Sequence, residues 1–107
     1  NQVGLGAIQA ANEKGAKFIG FSGDQTSIAP ETVVASVVFD FESLYIWAVE
    51  KYIDGTLEGN QVNSAGIEQG IFYPVFTDNV SDEIQTRVQE GIDRFLAGEV
   101  DLTAMFR

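Results

Sequence analysis

Apolar residues recur along this chain at two spacings, and the alternation between them sets out its elements. From Val3 to Lys14, Leu5, Ile8 and Ala11 mark one face at helical spacing, and Gly15 suits the position just past a helix end. Lys17 to Phe21 reads as a short strand after a tight turn, and Ser22 to Glu31, broken by Gly23 and Pro30, as a loop. Thr32 to Phe39 carries Val33, Val34, Val37 and Val38, which favours a strand buried on both faces. Asp40 is placed to cap a helix from Phe41 to Asp54, whose stripe is Phe41, Leu44, Tyr45, Ala48, Val49, Tyr52 and Ile53, with Gly55 ending it. Glu58 to Gly70 reads as irregular or as an edge strand. Ile71 to Phe76 is a short strand that Pro74 assigns to an edge or a strand end. Ser81 or Asn79 caps a last helix with the stripe Ile84, Val88, Ile92, Phe95 and Leu96, Asp82 and Glu83 in its first turn and Gly98 at its end. A terminal strand within Val100 to Phe106 completes the set.

Strands alternating with helices predict the α/β class with a mainly parallel sheet. Such a sheet needs both faces covered, and three helices over about four short strands do so only marginally. The chain also opens at Asn1 without an initiator Met and runs almost at once into a helical pattern. Both features are read as those of a mature or cleaved fragment completed by another chain segment.

Composition narrows the function. The 107 residues suffice for one small domain, and with 45% apolar residues a packed core is possible. Six basic residues against sixteen acidic ones give a net charge of −10, which repels phosphate backbones and anionic headgroups, so nucleic acid is excluded as a partner. With neither His nor Cys, the usual zinc sites, thiol nucleophiles and the Ser-His-Asp triad are excluded, and no cofactor is expected. No apolar run approaches the about 18 residues of a membrane span, and no signal peptide is visible.

Two places carry candidate chemistry. Gly4-Leu5-Gly6 opens a helix, where free N–H groups can receive an anion and where Asn1 and Gln2 would face a ligand; a simple helix entry or close packing is the more ordinary reading of the glycines, since no strand precedes them and a third glycine is absent. Ser22-Gly23-Asp24-Gln25 follows a strand directly and offers a hydroxyl, a carboxylate and an amide, a set suited to hydroxyl-rich ligands, although an ordinary solvated turn has the same composition. Phe39, at a strand end, can stack on a flat ligand ring or pack in the core. The carboxylates Glu13, Asp40, Glu42, Glu50 and Asp54 are scattered, with no spacing that compels acid–base catalysis or a calcium loop.

Three ordered segments, GLGAIQAANEKGAKFIGFSGDQ, APETVVASVVFDFESLYIWAVEKYIDGTLEG and VSDEIQTRVQEGIDRFLAGEV, resemble the C-terminal part of the basic membrane protein family. These are substrate-binding lipoproteins of ABC importers with the type I periplasmic-binding-protein fold. The resemblance implies two α/β lobes with mainly parallel three-layer sheets, closing on a small ligand, often a purine nucleoside. It also implies a position outside the cytoplasmic membrane through a lipid-bearing N-terminus, delivery to a permease, and no enzymatic activity. Residues 1–38 would then form the ligand lobe and hinge strand, residues 40–58 a helix on the other lobe, and the remainder returning strands and the terminal helix. The N-terminal part of the same protein would be a partner of this chain.

The family's pattern Asp-x-Asp-Gln at the first strand end survives here as Asp24 and Gln25, with Ser22 in place of the first Asp, which in the family contacts ribose. In the pattern Ser-Val-Val-Lys, Ser36, Val37 and Val38 match, and Phe39 replaces the ligand-reaching lysine. The resemblance therefore implies a re-specified pocket walled by Asn1, Gln2, Gly4, Ser22, Asp24, Gln25 and Phe39, for a less polar ligand or a nucleoside held differently. Two other functions stand beside transport: an extracytoplasmic sensor or regulator of the same fold, and an α/β enzyme using Asp24 or Glu42 as base.

Overall fold

The computed structural model describes residues 2–101, with side chains from residue 4 onward. The elements in chain order are α1 (Gln2–Glu13), β1 (Phe18–Ser22), β2 (Val33–Phe39), α2 (Phe41–Ile53), a short 3-10 turn (Ile67–Gln69), β3 (Phe72–Phe76) and α3 (Asp82–Leu96). Each arises for a local reason. Gly15, at φ +65°, takes the left-handed turn that ends α1 and lets the Ala16 N–H reach back to the Ala11 carbonyl at 2.9 Å. Asp40 starts α2 by accepting from the Ser43 N–H at 3.0 Å and the Ser43 hydroxyl at 2.8 Å. Ser81, not Asn79, caps α3 through the Ile84 N–H, while the Asn79 amide donates to the Pro30 carbonyl at 3.0 Å and holds the β1–β2 loop.

The sheet order is β1-β2-β3, with β1 parallel and β3 antiparallel to β2. The α/β class holds, but the sheet of the described residues is mixed where helix–strand alternation predicted mainly parallel pairing. The irregular stretch after α2 brings the chain back to the carboxyl end of β2, where Phe72 pairs with Phe39, so β3 runs the other way. Pro74 lies opposite Val37 on this outer strand, where the N–H it lacks is dispensable. Val100 and Asp101 have no regular structure, and the rest of the expected terminal strand lies outside the described residues.

The core is small. Ile8, Val33, Ala35, Val38 and Ile71 are buried, along with the polar Thr32 and Ser36. Thr32 joins α1 to β2 by donating its hydroxyl to the Asn12 side-chain oxygen at 2.8 Å. On α3, Val88 and Ile92 face Val37, Phe72 and Pro74 of the sheet across a cavity of about 180 Å³. No residue of α2 is buried: Tyr45, Tyr52 and Ile53 of its stripe are exposed by 66%, 75% and 74%. Ile19 and Phe21, on one face of β1, are likewise uncovered. Apolar periodicity therefore located α2 and β1 correctly, while their covering is not supplied by the described residues.

Candidate functional site

The parallel strands β1 and β2 end side by side, Ser22 pairing with Val38, one residue short of Phe39. Carboxyl ends of adjacent parallel strands are where open α/β sheets hold small ligands. Ser22 has φ +83°, a backbone pose that costs a non-glycine residue on the order of 1–2 kcal/mol and that the surroundings must enforce. It turns the chain sharply out of β1 into the loop that carries Gly23, Asp24 and Gln25.

That loop is fixed from two sides. The Asp24 carboxylate accepts from the Thr26 N–H at 2.9 Å and from the Thr26 hydroxyl at 2.7 Å. These two Thr26 bonds, with a smaller contribution from the Ser36 hydroxyl, hold the Asp24 carboxyl below its ordinary pKa of 3.8 against an opposing desolvation effect. Behind the loop, the Gln25 N–H donates to the hydroxyl oxygen of the buried Ser36 at 3.0 Å. Gly20 sits opposite Ser36 in the sheet, and a Cβ there would meet Ser36 Oγ at 2.6 Å and Gln25 Oε1 at 2.7 Å. Glycine is therefore what lets the Ser36 hydroxyl and the Gln25 side chain lie against the strand.

In front of the loop is a cleft of about 530 Å³, lined by Gly4, Phe18, Ile19, Phe21, Ser22, Gly23 and Gln25. Its lining is apolar along β1 and polar at the strand end, the mixture that small-molecule sites show. Of the residues singled out from the sequence, Gly4, Ser22 and Gln25 meet here. Among the described residues the Gln25 carboxamide has no hydrogen-bond partner, so it is open to a ligand. Asp24 is exposed and spends its carboxylate on Thr26 rather than on the cleft wall. Asn1 lies outside the described residues, as does the side chain of Gln2.

Phe39 stands at the same end of the sheet but away from the cleft lining. Its ring stacks on Phe72, centroids 4.5 Å apart and planes 5° apart, and meets Phe41 at 4.2 Å and 53°. This cluster joins the end of β2, the start of α2 and the start of β3. Sequence reading passed over Gly20 and Ser36 as site-forming residues. The available signals were a glycine inside an apolar strand and a single hydroxyl within the run VVASVVF. Among the described residues no three His, Cys, Asp or Glu side chains gather into a group that could hold a metal ion.

A polar strand-end loop, rigidly held over a half-apolar cleft in an α/β sheet, defines a small-ligand binding arrangement. The chain belongs to the Bmp family, described as ABC transporter substrate-binding protein PnrA-like, which matches residues 1–98. It is 27% identical over 95 residues to a purine-binding protein of Brucella abortus (strain 2308), covering 89% of this chain and 27% of that protein. It is 28% identical over 102 residues to basic membrane protein C of Borreliella burgdorferi (strain N40), covering 92% of this chain and 29% of that protein. The crystal structure of a transcriptional activator of the comK gene from Bacillus halodurans shares the fold, with a TM-score of 0.73 at 24% identity over 82% of this chain and 31% of that one. The chain thus spans under a third of the length of each of these relatives.

Proposed function

We propose that this chain forms one ligand-cleft wall and the hinge of an extracytoplasmic solute-binding protein that serves an ABC importer, and that its ligand is nucleoside-like. The observation that carries this reading is the cleft at the end of β1, where Ser22 and Gln25 face a volume of about 530 Å³ in a chain of the Bmp family. The purine-binding relative supports the nucleoside class. Residues 1–38 belong to the ligand lobe. The uncovered apolar stripe of α2 suits a helix that docks on a second lobe outside this chain.

Binding without chemistry fits the site. Asp24, the best-placed carboxylate, is held ionised by its hydrogen bonds, which makes it a poor general base. Among the described residues no helix is long and apolar enough to cross a membrane. With Ser22 and Phe39 in the places of the family's Asp and Lys, recognition relies on neutral hydrogen bonds and apolar contact. Calorimetry of the full-length protein against adenosine, guanosine, inosine and uridine tests the reading. Saturable one-to-one binding of at least one nucleoside is expected, and heats indistinguishable from dilution for all four would refute it.

A further inference from the structure

We propose that the Ser36 hydroxyl is a positioning latch for the ligand loop, fixing residues 22–26 so that Ser22 and Gln25 face the cleft. The inference rests on the ligand-binding reading above and deepens it. Ser36 is fully buried in an otherwise apolar strand, where a hydroxyl is costly unless it is bonded. Its bond goes to the loop: the hydroxyl oxygen accepts from the Gln25 N–H at 3.0 Å. On either side of Gln25, the Asp24 carboxylate takes the Thr26 N–H and hydroxyl, so the buried oxygen holds the middle residue of a loop already braced across Asp24 and Thr26. Gly20 leaves the space for this bond, since a Cβ there would stand 2.6 Å from Ser36 Oγ.

The latch sits on a strand with a second task. Three residues beyond Ser36, β2 ends at Phe39 in the aromatic cluster, and Asp40 then caps α2. The loop that meets the ligand is therefore tied to the strand that carries α2 and not to its own strand alone. Ser22, strained at the hinge between β1 and this loop, is held in its left-handed pose by the ladder on one side and the latch on the other.

The test uses the full-length protein with Ser36→Ala and Ser36→Cys, read by amide hydrogen exchange and by calorimetry with adenosine and guanosine. In Ser36→Ala the amide exchange of Gln25 and Thr26 is expected to rise about tenfold or more while Val34 and Val37 in β2 keep wild-type rates. The affinity for the nucleoside that binds the wild type is expected to fall about tenfold or more, with Ser36→Cys intermediate because sulfur is a weak acceptor. Faster loop exchange with unchanged nucleoside affinity would overturn the positioning role. A uniform rise across β1 and β2 would overturn it also, as the mark of a merely structural residue. If the wild type binds neither of these two, nor inosine or uridine, the proposed ligand class fails separately, and the exchange pattern alone decides the latch: acceleration confined to residues 22–26 supports it, and any other pattern overturns it. Should Ser36→Ala not fold, Ser36→Cys carries both readouts, with faster exchange confined to residues 22–26 expected and any other pattern overturning the latch.

Discussion

Placing a methyl group on residue 20 tests how tightly the loop is built onto the sheet. In Gly20→Ala the new Cβ would stand 2.6 Å from Ser36 Oγ, 2.7 Å from Gln25 Oε1 and 3.1 Å from Gln25 Cβ. The Gln25 oxygen is the end of a flexible side chain and can swing away. The Ser36 hydroxyl cannot, because its residue is fully buried on the central strand. Overpacking of this kind costs about 1–3 kcal/mol. Losing the Gln25 N–H bond to Ser36 adds about 1 kcal/mol. Replacing a strand glycine by alanine returns about 0.5–1 kcal/mol of chain entropy. The sum is a destabilisation of about 2 kcal/mol, readable as a shift in the urea midpoint at unchanged slope. Gly23→Ala is the control: nothing lies within 4 Å of its Cβ, and a change below about 0.5 kcal/mol is expected. Repeating Gly20→Ala in a Ser36→Ala background removes the unyielding contact, so the cost there is expected to fall by about 1 kcal/mol or more. Equal costs for Gly20→Ala and Gly23→Ala, or strict additivity with Ser36→Ala, would show that the close approach is not what constrains the loop.

Other outcomes follow from the same geometry. Ser22→Asp is expected to tighten nucleoside binding about tenfold or more, because a carboxylate at this strand end adds charge-assisted hydrogen bonds to ribose hydroxyls, and calorimetry would show it. Phe39→Leu keeps apolar burial but removes the stack on Phe72, so a stability loss of about 0.5–1.5 kcal/mol is expected in urea unfolding; an accompanying loss of nucleoside affinity would show that the ring also reaches the ligand. Val49→Asp on α2 is expected to destabilise the full-length protein by more than the about 0.5 kcal/mol typical of surface changes, if the exposed stripe docks on a second lobe. The Asp40 carboxyl is lowered below 3.8 by the Ser43 N–H and then the Ser43 hydroxyl. A depressed folded pKa means the cap is fully present above the ordinary value and is lost as pH falls through the lower folded one. Exchange of the Ser43 amide should therefore stay protected through pH 4 and open only below 3.8, whereas Asp40→Ala should leave it open at every pH.

Most of the secondary structure was legible because its signals are local. Helix caps at Asp40 and Ser81, the glycine after α1 and the proline of β3 act within a few residues, and all four operate as the sequence suggests. The antiparallel return of β3 was not legible, because strand direction depends on how the irregular segment after α2 crosses the molecule. The site divides the same way. Ser22, Asp24 and Gln25 stood out as a polar cluster after a strand, yet Asp24 proved to be a brace for the loop and not part of the cleft lining. Ser36 and Gly20 matter only once register places them opposite each other, sixteen positions apart in the chain though adjacent in the sheet. Phe39 and Phe72 likewise find each other only through the β2–β3 pairing.

The left-handed backbone at Ser22 has a consequence for how this position can change in evolution. Aspartate and asparagine adopt that pose more readily than most residues, and glycine without cost. The position can therefore pass between hydroxyl, carboxylate, amide and no side chain while the strand, the loop and the brace behind it stay as they are. Under the proposed function, a lineage could trial new solutes there one residue at a time, without risking the fold that presents them.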